Sequence, residues 1–305
     1  MKVFGFGFFL YDILNKFLSI CEYKNDEENK NKFEIIKEEL KRNLNTKGWD
    51  GRWFERAITD DGDVLGSVTS EECKIDSISQ SWGVISDCAD NDKKYISMEE
   101  VENSLVDREN RIIKLFWPAF KNCNFNPGYI KAYPEGIREN GGQYTHAAIW
   151  FIIALSKLGF GEKAVQLAKM INPINHSLNL ENAKKYRVEP YVISADVYSA
   201  ENLQGTGGWS WYTGSSGWYY DLIIEYILGF KIESKYLKIE PCISENWKEY
   251  EIHYKYKTSA YNIKVKNPNK KNTGVTKFIV NGEENKDKKI LLVDDGKIYN
   301  IEIIM

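Results

Sequence analysis

Apolar and polar positions along this chain follow two different periods, and the change falls near Gly229. Upstream the period is helical. Between Met1 and Ile20, the positions Phe9, Ile13, Phe17 and Ile20 recur at three- and four-residue spacing, which predicts a core helix. Asp12, Asn15 and Lys16 interrupt the run, so it reads as too short and too polar for a membrane span, and no small-residue cleavage site follows it. Asn29 to Leu44 predicts an amphipathic helix with Phe33, Ile36, Leu40 and Leu44 on one face, ended by Gly48. Ile75 to Ser86 predicts a buried helix carrying Gln80 and Trp82. Ser97 to Leu105 predicts an outer one, with Ser97 as N-cap and Glu100 three residues on. Ala147 to Ile153 is apolar on nearly every side, which predicts burial all round. Glu162 to Ile171 carries only the stripe Ala164, Leu167, Ala168 and Ile171. Ser215 to Leu228 predicts another helix. The repeating order is glycine-rich loop, buried helix, short turn, amphipathic helix. It predicts an α/α toroid with inner helices behind a site and outer helices facing water, without a close sequence repeat.

Downstream the period is two. Tyr236 to Glu240, Tyr250 to Tyr256, Tyr261 to Val265, Lys277 to Val280 and Tyr299 to Ile303 alternate as strands. Asn267-Pro268-Asn269 and Asn281-Gly282 are turn signals between them. The fold expected is therefore mainly α with a C-terminal β part: a helical region over 1–232 and a small antiparallel β domain over 233–305.

Two loops share one grammar. Arg138-Glu139-Asn140-Gly141-Gly142-Gln143-Tyr144-Thr145-His146 opens into the apolar helix, and Gly205-Thr206-Gly207-Gly208-Trp209-Ser210-Trp211-Tyr212-Thr213-Gly214 opens into the next. Paired glycines let a backbone approach a ligand closely, and a helix start turns unpaired N–H groups toward it. Glu139, Gln143, Thr145 and His146 add acceptors, donors and a titratable ring. A phosphorylated or sugar-like ligand suits such a pocket. Composition sharpens this. Aromatic residues make up 14% of 305 positions, with 9 Trp and 19 Tyr crowding the glycine loops, and sugar rings stack on aromatic faces. A formal net charge of -3 argues against a nucleic-acid partner. Five cysteines, Cys21, Cys73, Cys88, Cys123 and Cys242, lack metal-ligand spacing and read as reduced, in a cytoplasmic compartment. Three scattered histidines do not suit a zinc site, and Asp60-Asp61-Gly62-Asp63 places its glycine too early for a calcium loop, so no metal is expected.

Four carboxylates are candidates for proton transfer: Asp50 within Trp49-Asp50-Gly51, Glu139 before the glycine pair, and Glu189 and Asp196 flanking Pro190-Tyr191-Val192. A carboxyl packed against apolar rings loses solvation of its anion and becomes a proton donor near neutrality, which Asp50 beside Trp49 would satisfy. The residues alone leave the four unranked. Thr213-Gly214-Ser215-Ser216 has the form of an anion nest. A serine nucleophile is not indicated, because Gly-x-Ser-x-Gly at a strand-to-helix elbow is absent.

The segments Trp49-Asp50-Gly51-Arg52-Trp53, Cys73 to Trp82, Pro127 to Lys131, Arg138 to Ala148, Glu189 to Val192, Ala195 to Tyr198 and Gly207 to Ser215 together resemble the glycoside phosphorylases of glycoside hydrolase family 94. The likeness runs from about residue 8 to about residue 268. It is stronger to the phosphorylase-like region of cyclic β-1,2-glucan synthases and to 1,2-β-oligoglucan phosphorylases than to cellobiose or chitobiose phosphorylases. The resemblance implies an (α/α)6 barrel with a C-terminal β domain. It implies inverting phosphorolysis of β-glucosides, here β-1,2-glucan oligosaccharides, to α-glucose 1-phosphate. Inorganic phosphate is then the co-substrate and no cofactor is needed. Asp50 matches the general acid, His146, Thr213 and Gly214 match phosphate-holding positions, and Trp49 and Glu139 match sugar contacts. Gln143, from the loop itself, joins them as a substrate-binding donor. The family's members are longer, so this chain is expected to hold roughly the second half of the toroid. That expectation brings two further partners into view, a complementary polypeptide or a homodimer. An inactive carbohydrate-binding remnant and an inverting hydrolase are the rival readings.

Overall fold

The computed structural model describes residues 2–123 and 125–305; Met1, at the edge of the first predicted helix, lies outside them. The described residues divide into two compact units. One runs up to Ala154 and resumes over Met170–Ser216; the other joins Leu155–Lys169 to Gly217–Met305.

In the first unit, α1 (Phe4–Lys24) ends at Asn25, whose left-handed φ of 55° lets its N–H bond back to the last turn. Asp26 then caps α2 (Glu27–Lys47) by accepting the Asn29 N–H, and Gly48 closes that helix. α1 packs on both α2 and α3 (Ser77–Ile85). The face it buries is not the expected one. Phe8, Tyr11, Leu14, Leu18 and Cys21 are buried, while Phe9, Ile13, Phe17 and Ile20 are all more than 40% exposed. The helix has two apolar faces beside the polar one of Asp12, Asn15, Lys16 and Ser19, so its periodicity does not choose between them. Its two glycines do. A Cβ at Gly7 would lie 2.8 Å from Leu44 of α2 and one at Gly5 3.2 Å from Ile78 of α3, so the close approaches fix the rotation. By length and composition α1 also meets the requirement for crossing a membrane, with a mean hydropathy of 1.3 over its best window, contrary to the expectation that it is too short and too polar.

α3 begins two residues later than predicted, because Ile75–Asp76 pairs with Phe116–Trp117 in a short ladder. Asp76 is the cap, accepting the Ile78 and Ser79 N–H groups. α4 spans Asn91–Leu105, six residues longer than expected. Ser97 is not its N-cap; it sits buried in mid-helix with its hydroxyl donated to Lys94 O. The polar residues Asn91 to Lys94, upstream of the predicted helix, form its first turn. α5 (Thr145–Lys157) carries the expected all-round burial from Ala147 to Leu155, apart from the half-buried Trp150. α6 (Gly161–Ile171) buries its predicted stripe. α7 (Leu180–Tyr186) follows, capped by Asn179. α8 covers only Ser215–Asp221 of the predicted helix, which continues as a π-helical turn over Leu222–Ile227.

The five predicted strands of the second unit are present, and Phe230–Glu233, Glu283–Glu284 and Lys289–Leu291 add three that the alternation did not mark. With β1 (Gln143–Tyr144) and β2 (Asp196–Val197) in the first unit, β3 (Phe230–Glu233), β4 (Tyr236–Ile239) and β9 (Lys289–Leu291) form one sheet of the second. The other has the order β5 (Glu249–Tyr256), β6 (Ser259–Lys266), β10 (Ile298–Ile304), β7 (Lys277–Val280), β8 (Glu283–Glu284). It is mixed and not antiparallel: β10 inserts between β6 and β7 and runs parallel to β6. Alternation reports which face a residue takes and carries no strand direction. Asn281 and Gly282, both at positive φ, make the two-residue turn between β7 and β8.

His176 lies in a 3-10 turn stacked on Tyr186, with ring centroids 4.8 Å apart. Burial first, then the nearby Arg111 and Lys185 charges, push its pKa down to about 4. The folded ring thus stays neutral while an unfolded one, titrating near 6.5, gains a proton. Stability is complete above pH 6.5 and falls as pH drops toward 4, by up to about 3 kcal/mol from this ring. In His176→Phe, urea midpoints measured across that window are expected to fall less steeply, by about one proton's slope.

Candidate functional site

One short strand segment holds the two glycine loops together. β1 (Gln143–Tyr144) pairs antiparallel with β2 (Asp196–Val197), and the Thr145 N–H extends that ladder to Ala195 O at 2.9 Å. On the other edge, the Ala195 N–H donates to Trp209 O at 2.7 Å, the Gly208 N–H to Asp196 O at 2.9 Å, and the Tyr198 N–H to Thr206 O at 2.8 Å. Glycine is required where the backbones close. A Cβ at Gly142 would lie 2.7 Å from Arg138 O, and one at Gly208 would lie 2.3 Å from Asp196 Oδ2. Asn140, fully buried, ties the first loop down: its amide donates to Phe120 O and Tyr133 O and accepts the Phe120 N–H.

This scaffold brings His146 and Gly214 together. A Cβ on Gly214 would sit 3.1 Å from His146 Nε2, so bare backbone faces the imidazole. The ring lies between Tyr144, stacked at 5.7 Å, and Trp150 at 6.0 Å. Burial there lowers its pKa. Thr213 Oγ1 accepts the Ser215 N–H at 3.2 Å and lies 2.7 Å from Ser215 Oγ, at the start of α8. Around Tyr144, whose ring stacks on His146, are three charged side chains each with a buried polar atom lacking a hydrogen-bond partner: Arg138 Nε, Glu139 Oε2 and Asp196 Oδ2. Arg138 Nε and Glu139 Oε2 are 3.6 Å apart, and Arg138 takes a left-handed φ of 49°. Burial raises the Asp196 pKa, while the Trp209 N–H and the Arg138 charge oppose the rise. Buried charges without full hydrogen bonding are expensive, so such a cluster marks a place where a polar ligand completes the bonding.

Gln143 departs from its expected role. It is fully buried, its Oε1 accepts the Ile113 N–H at 2.9 Å, and its Nε2 lies 3.4 Å from Thr145 Oγ1. Neighbours on a strand point to opposite faces, and here Tyr144 takes the His146 side while Gln143 takes the core. It positions the loop from behind.

Asp50 sits in a tight loop closed by the Trp49–Phe54 bridge. Its Oδ1 accepts the Arg52 and Trp53 N–H groups, each at 3.1 Å, and its Oδ2 accepts the Val68 N–H at 2.7 Å. Both oxygens thus accept backbone N–H groups, which fix the carboxyl's orientation in the loop. At the neighbouring carboxyl of Glu55, burial, then the Asp50 charge, raise the pKa, and its Oε2 is buried without a partner. The loop is clamped by Gln80, which is fully buried. Gln80 accepts the Phe54 N–H at 2.8 Å and donates to Phe54 O at 2.7 Å and Asp76 O at 2.9 Å. Packing ties this loop to the histidine. Trp49 and Trp150 both pack on the cluster of Phe54 and Trp82, and Trp150 in turn meets His146. Cavities of 560, 500 and 490 Å³ in the second unit are lined by none of the candidate site residues. The polar chemistry is at the glycine loops.

The model of the glycosyl hydrolase 94 superfamily catalytic domain matches residues 3–229. The chain belongs to the glycosyl hydrolase 94 superfamily. As a member of that superfamily, it is 40% identical over 286 residues to the cyclic β-(1,2)-glucan synthase NdvB of Rhizobium meliloti (strain 1021), which covers 94% of this chain and 10% of that protein. It is 28% identical over 274 residues to an N,N′-diacetylchitobiose phosphorylase of Vibrio furnissii, covering 88% of this chain and 34% of that one. This glycosyl hydrolase 94 chain thus spans about a tenth and about a third of the length of these relatives. A solved sialidase superposes with a TM-score of 0.55 at 13% identity, covering 82% of this chain and 22% of that structure, a likeness of fold alone.

Asn140 and Arg138 were visible in the sequence only as members of the loop, and Gln80 only as a polar residue in an apolar helix. A lone buried amide in a helix is the signal that marks Gln80. Gln80→Leu leaves the Phe54 N–H and C=O unpaired and is expected to cost about 3 kcal/mol, read as a lower urea midpoint, with lost hydrogen-exchange protection at the Phe54 amide.

Proposed function

We propose that this chain carries the catalytic wall of an inverting glycoside phosphorylase acting on β-glucosides, with β-1,2-glucan oligosaccharides as substrate. Asp50 protonates the departing glycosidic oxygen. Phosphate attacks the anomeric carbon from the opposite face, so a single protein acid suffices where an inverting hydrolase needs two carboxylates. His146, Thr213 and Gly214 hold the phosphate. Trp49 and Glu139 contact sugar, and Gln143 supports the loop. No cofactor takes part, and the α-helices belong to an (α/α)6 arrangement in a cytoplasmic enzyme. The domain division is 1–232 and 233–305. The observation that carries the reading is the approach of Gly214 backbone to His146 Nε2, where a Cβ would fall 3.1 Å away. A small oxyanion between a helix start and an imidazole receives N–H donors and a proton-bearing ring at once. The 40% identity to a cyclic β-(1,2)-glucan synthase supports the substrate class.

A second reading, a carbohydrate-binding wall without turnover, is favoured by one observation: both oxygens of Asp50 already accept backbone N–H groups. Either reading admits a complementary polypeptide or a second copy of the chain as partner.

Sophorose or longer β-1,2-glucan incubated with phosphate is expected to release α-glucose 1-phosphate, detected enzymatically or by phosphorus NMR. Asp50→Asn is expected to lower kcat by about a thousandfold with sugar binding retained. Sugar release at the same rate without phosphate assigns hydrolysis instead. Binding without release, by the chain alone and with a supplied partner, assigns the second reading.

A further inference from the structure

The segment joining the two halves of the second loop exposes its aromatic rings. Trp209 and Trp211 are 55% and 52% exposed, Tyr212 is 99% exposed, and Tyr191, edge-on to Trp211 at 6.4 Å, is 72% exposed. Large aromatics gain by burial, and four of them left open in one place mark an interaction surface.

The two indole rings are fixed. The Trp211 indole N–H donates to Glu189 Oε1 at 3.1 Å, the Ser210 hydroxyl to Glu189 Oε2 at 2.7 Å, and the Trp209 indole N–H to Trp211 O at 2.9 Å. The Trp209 backbone N–H is held by Asp196 Oδ1 at 3.0 Å. The Ser210 hydrogen bond, chiefly, keeps the Glu189 carboxyl below its usual range, so it remains an acceptor at neutral pH. Trp211 and Tyr212 both take left-handed φ, 62° and 46°, a conformation that bulky residues hold only against strain. The polar edges of both indoles are thus turned inward and satisfied. What the loop presents outward is ring faces.

We infer that Tyr191, Trp209, Trp211 and Tyr212 form a stacking platform for the glucose rings of a β-glucan chain extending from the site. The ligand class rests on the function proposed above. Ring faces whose indole donors are already satisfied, beside two tyrosine hydroxyls, suit the apolar C–H face and the hydroxyl rim of a pyranose. A longer chain offers several such faces in succession, which a disaccharide does not. The platform is continuous with the proposed phosphate loop, because Thr213 and Gly214 follow Tyr212 directly. It therefore sets a preference for substrate length and leaves the bond-breaking step untouched.

The test compares sophorose with a long linear β-1,2-glucan oligosaccharide, binding each to the full chain by calorimetry. Tyr212 is so exposed that Tyr212→Ala leaves the fold intact, and Tyr212→Phe keeps the ring as control. The platform predicts a loss of about tenfold in affinity for the long chain in Tyr212→Ala, retention in Tyr212→Phe, and unchanged sophorose binding. Equal affinities for both lengths in every variant overturn it, as does a native chain that binds neither. Phosphate-dependent turnover that persists with no length effect removes the platform and keeps the phosphorylase reading. Ring-dependent binding of the long chain without turnover keeps the platform and removes that reading.

Discussion

Asp196 is a carboxylate with 1% exposure, and the first unit's chemistry is arranged around the cost of burying it. One oxygen accepts the Trp209 N–H; the other abuts Gly208, where any side chain would collide with it. Its backbone meanwhile pairs with Tyr144 on one edge and accepts the Gly208 N–H on the other. A single residue therefore couples the two glycine loops through both main chain and side chain. The partnerless Oδ2, beside Arg138 and Glu139, leaves a polar deficit at the point where the loops converge. Interiors tolerate such deficits rarely, which is why this one is informative.

Helices and strands were legible wherever one face of an element faces water. The stripe of α6 and the alternation of β5, β6 and β10 lie where the periods put them, because each has one wet side. α1 was misread for the opposite reason. With two apolar faces to choose from, the buried one was set by Gly5 and Gly7, whose missing side chains permit close approach. The parallel pairing of β6 and β10 was illegible on similar grounds, since direction depends on which strand fills the gap beside β7.

Of the site, the glycine loops and the meeting of His146 with Gly214 were foreshadowed by loop-to-helix grammar. What composition does not encode is which way an amide points. Gln143 and Gln80 are both polar residues set among apolar ones, and both turn inward to satisfy main-chain groups. Buried backbone must find partners, and a glutamine near a loop is as often its clamp as a ligand contact.

His146 and the proposed oxyanion constrain one another. Burial lowers the pKa of the ring, and its place at the start of α5 adds the unfavourable positive end of that helix's dipole. Neutral imidazole is therefore the resting form near pH 7. A phosphate seated against Gly214 reverses both effects, since a neighbouring negative charge favours the protonated ring. By linkage the converse holds: a protonated His146 binds the anion more tightly than a neutral one. Proton uptake and phosphate binding then occur together. On the proposed reading the ring takes its charge together with the anion, which limits the cost of burying that charge.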